Sequence, residues 1–142
     1  YIAMYFEKYP DVKKYMELTK EFASQNGYVE TLFGRRLYLR DINATNAMRR
    51  QASERAAINA PVQGTAADIM KIAMINMHKA IKKEKSEAKL ILQVHDELIL
   101  DTPKDEIDKI VSLITDSMMG AANLDVPLEI DIGIGDNWDQ AH

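Results

Sequence analysis

The spacing of apolar positions along the chain changes twice, and each change predicts a different kind of element. From Tyr1 to about Tyr9 the pattern suits a helix, and Pro10 is placed to open a second one through roughly Ser24. Asn26-Gly27 stops it, because glycine adopts the left-handed conformation that closes many helices. Tyr28 to Leu32 and Arg36 to Leu39 then alternate about Phe33-Gly34, which predicts a short hairpin. From about Thr45 to Asn59 the chain is rich in Ala and Arg and reads as helix. Pro61 is expected to end that helix or begin the next, since it lacks an N–H and crowds the preceding turn. Thr65 to about Lys83 carries apolar residues at helical spacing over a wide face (Ile69, Ile72, Ala73, Met77, Ile81), and a basic run at Lys82-Lys83-Glu84-Lys85 suits the helix end.

The last third has a different rhythm. Lys89 to Val94 and Leu98 to Asp101 are apolar runs of strand length, joined at or beside His95-Asp96-Glu97. Runs this apolar are expected to be buried on at least one face. Asp105 to about Met119 places Ile107, Ile110, Val111 and Ile114 on one helical face, and Leu128 to Ile134 alternates as a further strand. The order strand–strand–helix–strand predicts an α+β fold with helices covering an antiparallel sheet. No stretch rich in Gly, Ser or Pro separates two independent domains, and no internal repeat is visible.

Composition narrows the function classes. A chain of 142 residues that is 46% apolar and 28% charged has the makings of an ordinary globular domain. No apolar run approaches the roughly 18 residues of a membrane span, and no secretory signal is visible near Tyr1. The start at Tyr1, without an initiator Met, is what a piece of a longer protein would show. Without cysteine there are no disulfides and no thiolate metal sites, so any metal must sit on oxygen or imidazole. Carboxylate and carbonyl oxygens favour hard ions such as Mg²⁺ or Mn²⁺.

The net charge of −4 hides a polarised chain. All six arginines lie between positions 35 and 55, opposed only by Asp41 and Glu54, a local net of +4. From Asp96 to His142, twelve acids face only Lys104 and Lys109, a local net of −10. A compact arginine block suits a phosphate-binding face, and equally a solvated helix face.

Two constellations carry candidate chemistry. His95, Asp96 and Glu97 interrupt an apolar stretch, where flanking strands would hold the acids rigidly, as an octahedral Mg²⁺ site demands. Adjacent acids on a strand point to opposite faces, so Asp96 and Glu97 are not expected to chelate one ion symmetrically. The plainer reading is an Asp in a turn, bonding nearby backbone donors. His95-Asp96-Glu97-Leu98 also spells an endoplasmic-reticulum retention signal, but that signal acts only at a C-terminus and this copy is internal. The second constellation is Arg55, Asn59 and Gln63, spaced i, i+4, i+8. On a continuous helix they form one polar stripe, able to bond the minor-groove acceptors that every base pair presents. Pro61 threatens that continuity, and an exposed polar face with no ligand would show the same spacing.

Three segments together resemble the C-terminal part of a family A DNA polymerase, the bacterial DNA polymerase I type. They are Gly27-Tyr28-Val29-Glu30-Thr31-Leu32 with Gly34-Arg35-Arg36, then Glu54 through Asp68, then Gln93-Val94-His95-Asp96-Glu97. Asn137-Trp138-Asp139-Gln140-Ala141-His142 resembles the ending of such enzymes. The resemblance implies that residues 1–60 are the rear part of the fingers and 61–142 the C-terminal part of the palm. It implies Asp96 as one of two aspartates holding a pair of Mg²⁺ ions (Mn²⁺ as substitute), with Glu97 supporting the metal site or the primer end. His95 would lie against the primer terminus, and Arg55, Asn59 and Gln63 would contact the minor groove. Arg49 and Arg50 belong with them in the DNA-binding set. The implied partners are primer-template DNA, deoxynucleoside triphosphates and the remainder of the polymerase chain, with no membrane, in a bacterial cytoplasm at the nucleoid.

The sequence departs from that family in one respect. The other metal aspartate belongs to a motif of the form Asp-Tyr-Ser-x-Ile-Glu, which is absent, as is the fingers helix whose Lys and Tyr grip the triphosphate; Arg49-Arg50-Gln51 does not supply it. The expectation is a fragment without polymerase activity of its own. Two other readings remain: a DNA-binding module that has lost catalysis, and a scaffold with no nucleic-acid role, which leaves the arginine block unexplained.

Overall fold

The computed structural model describes residues 2–142. The chain forms two compact units, the first ending at Ala66 and the second running from Ala67 to His142.

In the first unit, α1 (Ile2–Lys8) precedes α2 (Pro10–Asn26), which has its proline in the first turn as expected. Gly27 closes α2 at φ 77°, and its N–H donates to the Ala23 carbonyl. The strands β1 (Tyr28–Glu30) and β2 (Arg36–Tyr38) pair antiparallel, Val29 opposite Leu37, around a turn in which Gly34 takes φ 80°. Ala23, Val29, Leu39, Ile42 and Ala57 form the core of this unit.

The helix α3 (Ala47–Lys83) begins two residues later than expected, where the Asn46 side chain accepts the N–H groups of Met48 and Arg49. It then runs unbroken past Pro61, so the predicted division into two helices does not occur. The carbonyls of this stretch are bonded both from within the helix and from α2. The Thr65 hydroxyl donates to the Pro61 carbonyl at 2.6 Å, and the Tyr15 hydroxyl donates to the Ile58 carbonyl at 2.9 Å. Gly64, also in this stretch, lets the hairpin loop approach: a Cβ there would lie 2.6 Å from the Thr31 methyl.

In the second unit, β3 (Lys89–Val94) and β4 (Glu97–Asp101) pair antiparallel, with a register shift between Leu90 and Leu92 that leaves Ile91 as an extra residue. A 3-10 turn (Lys104–Glu106) leads into α4 (Ile107–Met119). Met77, Ile81, Ala88 and Ile110 make the core, with Leu100, Leu113 and Ile114 packed on it. The apolar face predicted for this part of α3 is thus the buried one.

Two strand expectations fail. Ile91 and Leu92 are 59% and 48% exposed, so β3 is not buried as its composition suggests. The bulge breaks the alternation that would have sent one of the pair inward. The segment Leu128 to Ile134 alternates but forms no strand, because alternation selects a face without supplying a partner for the backbone groups. The sheets among the described residues are therefore two-stranded, and the order strand–strand–helix is not completed by a strand. The chain ends in α5 (Trp138–Ala141), capped by the Asn137 side chain, which accepts the Gln140 N–H.

Candidate metal-site hairpin and nucleic-acid face

The β3–β4 connection is as short as a hairpin allows. Val94 pairs with Glu97, which leaves His95 and Asp96 as a two-residue loop. His95 has φ 51°, a conformation that costs a side-chain-bearing residue about 1–2 kcal/mol and for which glycine is the relaxed choice. Its carbonyl accepts the Gln93 side-chain amide at 2.9 Å, which secures the turn. Positive φ is uncommon for a residue with a side chain, although histidine adopts it more often than most, and Lys85 does the same at φ 52°.

The two acids receive different treatment. Asp96 is exposed at the tip and has no hydrogen-bond or ion-pair partner among the described residues. Glu97, already in β4, stands 2.9 Å from the His142 imidazole, Oε1 to Nδ1. That imidazole meets the Trp138 ring edge-to-face at 6.3 Å between centroids. Gly133 helps to bring the chain end here, since a Cβ on it would run into the Ala141 carbonyl. A carboxylate with no partner, beside one already engaged, suits a hard divalent cation in the kind of donor. It does not suit it in number, because no cluster of three potential ligands exists among the described residues.

The polar stripe is continuous. With α3 unbroken, Arg55, Asn59 and Gln63 lie on one exposed face of a single helix. Gln63 also lines a cleft of about 280 Å³ with Thr31, Arg35, Arg36 and Pro61.

The arginine block divides. Arg36 pairs with Glu30 at 2.5 Å and lies 4.3 Å over the Tyr28 ring; the bond to Glu30, then one to Tyr38, raises its already high pKa. Arg35 donates to the Gly64 carbonyl at 3.0 Å. Arg50 is half-buried and donates to the Ala44 carbonyl, with Glu54 at 3.9 Å. Arg49 is exposed, with Asp41 at 3.7 Å. Arg40 and Arg55 are exposed with no partner among the described residues. Charge counting had treated six arginines alike, and most of them are engaged within the chain. The bonds made by Thr65 also escaped sequence reasoning. Its signal was a hydroxyl four residues after a helical proline, where Thr can reach the carbonyl at i−4.

The chain thus presents a short hairpin with one unengaged aspartate and, on α3, an uninterrupted Arg–Asn–Gln stripe. The family model for DNA polymerase family A matches residues 1–140. The chain belongs to that family. It is 52% identical over 142 residues, all of its length, to DNA polymerase I of Pseudomonas aeruginosa, and 46% identical over 138 residues to the thermostable DNA polymerase I of Thermus thermophilus. It spans 16% of the length of each of these relatives. Among solved structures it is similar to the POL domain of Pol1 from M. smegmatis, solved in complex with DNA primer-template and dNTP. The TM-score is 0.96 at 42% identity, over 99% of this chain and 25% of that one. No described helix is long and apolar enough to cross a membrane.

Proposed function

We propose that these residues form part of a DNA-directed DNA polymerase, residues 1–60 in the rear of its fingers and 61–142 in the C-terminal part of its palm. The observation that carries this reading is the unengaged Asp96 carboxylate on a strained two-residue turn, in a chain that belongs to DNA polymerase family A. The reaction is templated nucleotidyl transfer: a primer 3′-hydroxyl attacks the α-phosphate of a deoxynucleoside triphosphate and pyrophosphate leaves. A pair of divalent ions, Mg²⁺ with Mn²⁺ as substitute, supplies charge stabilisation for such a transfer. Asp96 would hold them together with a carboxylate that this sequence lacks. Glu97, steadied by His142, would support Asp96, and His95 would lie against the primer terminus.

Arg55, Asn59 and Gln63 would meet the minor groove, where N3 and O2 acceptors occur at every base pair, so that duplex shape is tested with little regard to sequence. Arg49 and Arg50 would add phosphate contacts, Arg49 with the greater freedom. The partners are primer-template DNA, deoxynucleoside triphosphates and the rest of the polymerase chain, in the bacterial cytoplasm at the chromosome.

The test is Asp96→Ala in a polymerase of the relatives' length that carries this sequence. Turnover should fall at least about a thousandfold, the scale of losing several kcal/mol of charge stabilisation, while duplex affinity is kept. Unchanged turnover would assign the chain to DNA binding without catalysis.

A further inference from the structure

We infer that Thr65 is a positioning residue for the minor-groove stripe: through it the loop of the β1–β2 hairpin clamps the stretch of α3 that Pro61 weakens, and so fixes Gln63. This rests on the reading of Arg55, Asn59 and Gln63 as the face that meets a duplex. Pro61 brings no N–H to the Ala57 carbonyl, and its ring crowds the preceding turn, which ordinarily kinks a helix. Here α3 continues, and other groups engage its carbonyls on either side of Gln63. Tyr15 donates to the Ile58 carbonyl at 2.9 Å, Thr65 to the Pro61 carbonyl at 2.6 Å, and Arg35 to the Gly64 carbonyl at 3.0 Å.

Thr65 is the hub because its one hydroxyl works in both directions. While it donates to Pro61 it accepts the Leu32 N–H at 2.9 Å, tying the hairpin loop to the helix. The loop is itself closed by the Gly34 N–H on the Thr31 carbonyl and the Arg35 N–H on the Thr31 hydroxyl. Gly64 admits this approach, since a Cβ would press on Thr31, a buried residue with no space to yield. Gln63 sits between the clamped residues and projects from them, exposed. A glutamine that tests base-pair shape must keep its amide at a fixed depth, and a loose turn beneath it would let the amide follow a misshapen pair.

The experiment uses the complete polymerase chain. It compares extension of matched and mismatched primer ends, duplex affinity, and amide hydrogen exchange over residues 60–66. Thr65→Val keeps the branched shape and removes both bonds; the Leu32 amide is exposed and can turn to water. The ratio of matched to mismatched extension should fall about fivefold, the rate equivalent of one lost hydrogen bond, with affinity within about twofold of the parent. Exchange over 60–66 should quicken. Thr65→Ser should restore the parent ratio, and Thr65→Val combined with Gln63→Ala should be no worse than Gln63→Ala alone.

A Thr65→Val ratio equal to the parent's, where Gln63→Ala lowers it, would overturn the clamp and leave the stripe standing. A Gln63→Ala ratio equal to the parent's would overturn the stripe itself. If Thr65→Val does not fold, Leu32→Pro takes its place, removing the donating amide at a turn position that favours proline. An unchanged ratio in Leu32→Pro would then overturn the clamp.

Discussion

The polar face of α3 and the tip of the β3–β4 hairpin both present unusual side chains to solvent, yet the chain completes them to different degrees. Beneath the stripe, Thr65, Arg35 and Tyr15 hold carbonyls around Gln63, so its backbone support lies within the 142 residues. At the hairpin, the turn is secured by Gln93 and the neighbouring Glu97 is engaged by His142, but Asp96 faces outward, and no cluster of three potential metal ligands exists among the described residues. A surface that reads shape needs donors on one rigid element. A two-metal centre needs carboxylates converging from both sides of the ions. On the proposed reading, the first requirement is met within these residues and the second calls for a carboxylate that this sequence does not contain.

The strongest way to break this comparison is to ask the 142 residues to work alone. With Mg²⁺, primer-template and all four nucleotides, the isolated chain, verified as helical by circular dichroism, should give no templated incorporation. Any incorporation would mean that the hairpin needs no outside carboxylate. Next in size is Gln63→Ala in the complete chain. It should cut discrimination against mismatched primer ends about tenfold, within the range for a groove contact, while duplex affinity changes about twofold. Equal losses in both would make Gln63 one more affinity contact.

Much of this arrangement is legible in the sequence. Gly27 and Gly34 mark where the chain must adopt positive φ, and both do. The spacing of Ala73, Met77 and Ile81 marks the buried face of α3. The tip residues stand out because acids interrupt an apolar run. Where the sequence misled, neighbouring contacts that spacing does not encode, or the lack of them, decided the outcome. Pro61 does not end α3, and the carbonyls around it are bonded by Thr65 and by Tyr15, 43 residues away from the Ile58 carbonyl it bonds. Leu128 to Ile134 has the alternation of a strand but no paired neighbour among the described residues. The arginine count overstated the free positive charge, because Glu30, Asp41, Glu54 and the Gly64 and Ala44 carbonyls engage arginines in ways that spacing does not reveal.

That last point gives the smallest expected difference. Arg55, exposed and without a partner among the described residues, should matter for duplex affinity: Arg55→Ala should weaken it about tenfold and reduce its salt dependence by about one ion. Arg36, occupied by Glu30 and Tyr28, should not, and Arg36→Ala should stay within about twofold of the parent. Fluorescence anisotropy across a salt series measures both, and equal slopes would show that the internal pairing of Arg36 does not withhold it from DNA.

The central claim is that the hairpin tip separates a metal-holding acid, Asp96, from a supporting one, Glu97, and a single-turnover comparison of two variants tests it most directly. In the complete chain with saturating Mg²⁺ and primer-template, Asp96→Ala should slow nucleotide transfer at least about a thousandfold, and Glu97→Ala no more than about a hundredfold. Equal losses, or a larger loss at Glu97, would contradict the account, because the carboxylate engaged by His142 would then be the one the chemistry depends on.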